Sequence, residues 1–198
     1  MSSLDLPVNG KHDSHTRPAE KTRRPLSTRW ISTLTLASLP RAHYLRGWEL
    51  GCSNGVLTAA LAPRCAQLLA TDLSEEAVSA ARVFLAAQSH VRVERAEHPR
   101  QWPDGTFDLI VFSELGYYLD PPTMQAMAAR LAASLDAQGV LVACHWRPAF
   151  AEARCTAEFV HAQLDALLPR AFSWGDADML LQGWSRDTRS VAEHEGLR

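Results

Sequence analysis

The chain has 198 residues, 46% of them apolar and 21% charged, enough to bury one full core with a short appendage. A net charge of −2 argues against a nucleic-acid or membrane-surface binder, and no apolar run approaches the ~20 residues of a membrane span. The four cysteines, Cys52, Cys65, Cys144 and Cys155, form no C-x-x-C pair, and the first residues lack the apolar core of a signal peptide, so reduced thiols and a cytoplasmic location are expected.

In chain order, residues 1–20 are polar, with Pro7, Gly10 and Pro18 and no periodic apolar face, which predicts a disordered or loose arm. His12 and His15 have a metal-like spacing but no helical pattern and no acidic or cysteine partners, so no metal site is expected. Residues 1–46 carry a charge of +5 against −7 for the rest. That fits a solvated tail or, as the sharper alternative, an arm that touches an anionic group. Residues 21–198 read as a single domain. A helix is expected over 21–39, started by Pro25 and closed by Pro40, with Leu26, Trp30, Leu34, Leu36 and Leu39 on a loose apolar face.

Strands and helices then alternate. Strands are predicted at 46–50, 67–71, 91–95, 107–113 and 140–146. Helices are predicted at 56–62, from a Ser74 cap to 88, from Pro121 to about 139, and at 156–168. Residues 171–174 and 179–184 flank Gly175-Asp176-Ala177-Asp178 and read as a hairpin. The pattern predicts an α/β fold: a mostly parallel sheet with helices on both faces and a C-terminal antiparallel hairpin. The stretch Glu49-Leu50-Gly51-Cys52-Ser53-Asn54-Gly55 ends the first strand in a glycine turn and opens a helix, and Asp72 ends the second strand. A turn of this kind admits a ligand close to the backbone, and an acid after the next strand suits a nucleoside.

Those residues resemble the first motif and the ribose-binding acid of class I S-adenosylmethionine-dependent methyltransferases, which have a Rossmann-like fold. Phe107-Asp108-Leu109-Ile110-Val111 resembles the family's fourth strand. Ser113-Glu114-Leu115-Gly116-Tyr117-Tyr118-Leu119 and Cys144-His145-Trp146-Arg147 resemble the nodulation-protein-S-like branch, whose type members N-methylate a sugar amine of chitooligosaccharides. Two departures stand out. Ser53 takes the place of a usual glycine, and in Ser27-Thr28-Arg29-Trp30-Ile31 only Arg29 matches the basic residues that relatives carry before the first strand.

The resemblance implies S-adenosyl-L-methionine as cofactor and a small-molecule acceptor, with an amine of a sugar-like metabolite expected. It assigns Glu49, with the backbone near Gly51 and Ser113, to the aminoacyl end, Ser53 and Gly55 to the cofactor-binding turn, Asp72 to the ribose hydroxyls, Leu73 to the adenine face, Glu97 with His98 to the adenine edge, and Arg29 to the lid. His145 is expected as base or acceptor-orienting group, with Tyr118 and Glu114 lining the site. Its alternative is a satisfied histidine at a strand end. Tyr117 and His161 read as structural, and Trp146 either stacks on a sugar ring or packs under the terminal helix. Rival readings are an O-methyltransferase, a non-catalytic cofactor-binding relative, and a nicotinamide-dependent oxidoreductase. The last needs a third glycine where Val56 stands.

Overall fold

The computed structural model describes residues 25–187, 189–194 and 196–198, with side chains from Trp30 onward. The expected 1–20 arm, His12 and His15, and the first four residues of the helix predicted over 21–39 lie outside these residues. From Pro25 the chain runs α1 (Pro25–Ser38), β1 (Tyr44–Leu50), α2 (Val56–Leu61), β2 (Cys65–Asp72), α3 (Glu75–Phe84), β3 (Val91–Arg95) and β4 (Phe107–Ser113). It continues through a short 3-10 turn at Gly116–Tyr118, α4 (Pro121–Ser134), β5 (Leu135–Trp146), α5 (Ala157–Asp165), β6 (Arg170–Gly175), β7 (Met179–Ser185) and α6 (Val191–His194).

The strands form one seven-stranded sheet in the order β3-β2-β1-β4-β5-β7-β6. The first five are parallel, β7 is antiparallel to β5, and β6 is antiparallel to β7. The predicted parallel sheet and terminal hairpin are both present. The strand order reverses between β1 and β4, and the carboxyl ends of these neighbours frame the crevice where open α/β sheets take their ligands.

Alternation along the strands sorts the side chains into two cores. Ile110, Phe112, Leu141 and Ala143 pack with Met124, Met127 and Leu131 of α4 and Val160 and Leu164 of α5. Leu109, Val111, Val140, Val142 and Cys144 pack on the other face with Ile31 and Leu39 at α1 and with Leu57 and Leu61 of α2. Val78, Ala81 and Leu85 at α3 close over Ala70 and Val93 on that same side. Each fully buried Leu or Met contributes about 1.5–3 kcal/mol. The helices are capped by the residues their sequences offer: Ser74, Asp120 and Thr156 each accept a backbone N–H at the start of α3, α4 and α5.

Some boundaries differ from expectation. The helix predicted to run to about 139 stops at Ser134, and β5 begins at Leu135. Leu135 pairs with Phe107, and sheet pairing overrides the helical preference of the Leu-Asp-Ala-Gln segment. β1 starts two residues early, at Tyr44, because the Asp108 carboxylate accepts the N–H groups of Leu45 and Arg46 at 2.9 and 2.8 Å. α3 ends at Phe84 instead of 88, and α6 was not anticipated. No helix of the described residues is long and apolar enough to cross a membrane.

Candidate active site

The glycine turn is fastened to β2. The N–H groups of Gly51 and Cys52 both donate to the Thr71 carbonyl, at 2.8 and 3.0 Å. Gly51 sits at φ +74°, where an added Cβ would lie 3.6 Å from the Ser113 carbonyl oxygen. The backbones of β1 and β4 therefore converge beside it. Ser53 adopts φ +49° even though it is not glycine. Its N–H donates to Oδ2 of Asp72 at 2.9 Å, which supports that conformation. Gly55, at φ +84°, packs against Ala81 and Leu85, so a side chain there would push α2 from α3.

Asp72 bridges the two loops. Oδ2 takes the Ser53 N–H and Oδ1 takes the Ser74 N–H, each at 2.9 Å. Each oxygen keeps a second lone pair, so the carboxylate can still accept two hydroxyls. Next to it Leu73 is 56% exposed, an apolar surface at the mouth of the crevice.

Glu49 faces the α1–α2 side of the sheet and is 2% exposed. Its Oε2 and the Oγ1 of Thr58 are buried without a hydrogen-bond partner. Burial pushes the carboxyl up to about 8; the nearby Thr58 hydroxyl favours the charged form and the Asp72 charge opposes it. The hydroxyl stands close enough to act on the carboxyl but outside good hydrogen-bond geometry. A buried acid with an orphaned oxygen, and with no cation among the described residues acting on it, is costly as pure architecture. It is the donor set that an ammonium group would complete. With the positive-φ glycine and the bridging Asp72, these residues fit the aminoacyl and ribose parts of S-adenosylmethionine. Sequence reasoning gave Thr58 no role in the site, although it stands in the first turn of α2, three residues after Gly55.

At the adenine edge, Glu97 is exposed and pairs with Arg100 at 3.3 Å. His98, expected with Glu97 at this edge, has both ring nitrogens engaged within the protein. Its Nδ1 meets the Gln101 carbonyl at 2.8 Å and its Nε2 meets Oγ1 of Thr71 at 2.9 Å. A carbonyl only accepts, so the proton sits on Nδ1 and the Thr71 hydroxyl donates to Nε2. The ring is wedged edge-on to Trp48 and Trp102, and burial lowers its pKa. Both nitrogens serve the protein.

On the far side, Ser113 is buried and its hydroxyl donates to the Cys144 carbonyl at 3.2 Å. Glu114 sits at φ +54°, and its Oε1 accepts the Trp146 N–H at 2.7 Å. Tyr118 is half-buried and packs edge-on to Tyr117 and Phe150. Tyr117 is core, as expected. Trp146 is 36% exposed at the end of β5, and Arg147 is tied to Glu158 at 2.8 Å.

His145 is the principal correction. It is 0% exposed, its Nε2 accepts the Gly116 N–H at 3.1 Å, and its Nδ1 meets Nε2 of His161 at 3.0 Å. Burial, with the His161 charge, holds its pKa well below the ordinary histidine range. It cannot reach an acceptor or take its proton. Strand parity gives the reason: 141, 143 and 145 point together toward α4 and α5. The Arg29 side chain lies outside the described residues. Among the described residues no cluster of His, Cys, Asp and Glu could hold a metal ion.

Known proteins share this fold. A family described as a methyltransferase domain matches residues 48–139. A crystal structure from Pseudomonas syringae, assigned provisionally as a methyltransferase, is 45% identical; it covers 81% of this chain and 99% of its own, with a TM-score of 0.72. The N-methyltransferase NodS from Bradyrhizobium japonicum WM9 is 27% identical over 81% of this chain and 96% of its own, with a TM-score of 0.74. The same enzyme in complex with S-adenosyl-L-homocysteine is 26% identical over 82% of this chain and 88% of its own, also at 0.74. Nodulation protein S of Rhizobium tropici is 29% identical over 60% of this chain. The chain spans about half the length of the curated relatives it matches.

Proposed function

This chain belongs to the class I S-adenosylmethionine-dependent methyltransferases, and we propose that within them it N-methylates an amine of a sugar-like metabolite. That it acts on a small molecule follows from the family. The observation supporting the finer reading is the likeness to the N-methyltransferase NodS over 81% of the chain, well beyond the matched residues 48–139.

The bound cofactor supplies a methyl group on a positively charged sulfur, so the protein's task is orientation and exclusion of water. Glu49 binds the ammonium of the aminoacyl end through its orphaned oxygen, with Gly51 and the Ser113 backbone beside it. Ser53 and Gly55 shape the turn. Asp72 accepts the ribose hydroxyls, Leu73 covers the adenine ring and Glu97 accepts the exocyclic amine. An amine attacks only as the free base and sheds a proton once methylated. With His145 removed from this role, Glu114 orients the nitrogen and takes that proton, and Tyr118 forms the adjoining wall.

The test is transfer of a labelled methyl group across amino sugars, simple amines and hydroxylated metabolites. Label on the nitrogen of an amino sugar is the expected result. Label on a hydroxyl only would make the chain an O-methyltransferase. No label on any acceptor, with S-adenosylhomocysteine still bound, would make it a non-catalytic relative.

A further inference from the structure

Behind the 114–118 segment runs a buried file of polar groups that the chemistry above does not use. The Gly116 N–H donates to Nε2 of His145 at 3.1 Å, and Nδ1 of His145 meets Nε2 of His161 at 3.0 Å. Nδ1 of His161 meets Oε1 of Gln182 at 2.8 Å, and Nε2 of Gln182 donates to the Ser173 hydroxyl at 2.9 Å. The file crosses β5, α5, β7 and β6. His145, His161 and Gln182 are each no more than 5% exposed.

Chemistry fixes its direction. Nε2 of His145 accepts a backbone proton, so that ring carries its own proton on Nδ1 and donates to His161. His161 is then protonated on Nδ1 and donates to the Gln182 carbonyl oxygen. Each ring uses both nitrogens once, and a second proton on either would set donor against donor. Burial opposes that proton as well: the His161 pKa is pushed down to about 4.

The segment held this way is strained and tightly fastened. Glu114 sits in the left-handed region, a costly conformation away from glycine that persists only where its surroundings enforce it. Its N–H donates to the Cys144 carbonyl at 2.9 Å, its Oε1 accepts the Trp146 N–H, and the Gly116 N–H ends on the ring between them. Three successive residues of β5 thus hold one short segment at three points.

We propose that His145, His161 and Gln182 form a positioning relay for methyl transfer: they hold Gly116, and through it Glu114 and Tyr118, in the geometry that receives the acceptor, while touching neither acceptor nor cofactor. This rests on the reading of Glu114 and Tyr118 as the acceptor wall.

Nitrogen-15 NMR of the histidine rings in the whole chain should show both as neutral Nδ1–H tautomers, with His145 Nε2 coupled to the Gly116 amide. His161→Leu leaves the His145 donor without an acceptor. Gly116 amide exchange should then quicken, and kcat/KM for an amino-sugar acceptor should fall, each by about tenfold or more, the scale of one buried hydrogen bond left unmade. S-adenosylhomocysteine affinity should stay within about threefold, since only the acceptor side is disturbed. His161→Gln offers an oxygen to His145 and amide hydrogens to Gln182, so it should restore both Gly116 protection and turnover to within about threefold of the original chain. The relay is overturned if His145 carries its proton on Nε2, or if folded Leu and Gln variants lose turnover equally or not at all. If the unaltered chain methylates no acceptor, the functional reading fails, and the tautomers and Gly116 exchange decide the relay on their own.

Discussion

Glu49 brings a carboxyl into a part of the sheet where water does not reach and leaves one oxygen unpaired. Burial holds its pKa near 8 in the free protein, so at neutral pH the group is mostly protonated. An ammonium ligand needs the carboxylate. S-adenosylhomocysteine binding should therefore release a proton at pH 7, and its affinity should rise with pH until the carboxyl ionises unaided near pH 8. Stability runs the other way. A raised folded-state pKa means that the folded chain binds the extra proton between about 4.5 and about 8, so this group's contribution is present below that window and lost as pH climbs through it. Calorimetry in buffers of different ionisation enthalpy, and melting temperature against pH, measure the two effects. Glu49→Gln should abolish the proton release and flatten the stability change across that window; an unaltered pH dependence in the variant would place the titrating group elsewhere.

Between elements, contacts decide what a single residue's pattern cannot. β4 and β5 were readable in the sequence as buried apolar strands, whose successive side chains must point to opposite faces, and so was the apolar face of α5. Combining them would have turned His145 toward His161, because 145 shares the parity of 141 and 143 and His161 lies beside Val160 and Leu164. Taken alone, a histidine at a strand end looks like a base. Likewise the Leu135 boundary depends on pairing with Phe107, a contact distant in sequence and invisible to local preference. Gly116 shows the same dependence. An added Cβ would lie 2.6 Å from Val160 Cγ1 on α5 and 3.0 Å from Phe112 Cε1 on β4. Gly116→Ala should lower stability by about 1–3 kcal/mol, the usual cost of overpacking. Val160→Ala should recover part of that loss in the double variant, which a denaturation cycle would detect as coupling. Simple additivity would mean that the helix and the turn do not press on each other.

Across the whole molecule, sheet order converts scattered residues into one site. β1 lies between β2 and β4, so Glu49, Asp72 and Ser113 end neighbouring strands although 64 residues separate the first from the last. Alternating strands and helices made this arrangement legible, and the glycine turn with Asp72 made the cofactor half legible. The acceptor half was less so, because its geometry comes from a left-handed residue, a short 3-10 turn and a buried hydrogen-bond file that carry no periodic signal. In the proposed site, the crevice between β1 and β4 holds the nucleoside cofactor on Asp72. Calorimetric titration of S-adenosylhomocysteine into the original chain and into Asp72→Ala tests it most directly. The original chain should bind at one site, and the variant should bind about 1.5–3 kcal/mol more weakly, the scale of hydrogen bonds to a charged group. No binding by the folded original chain, or equal affinity in the two proteins, would contradict it.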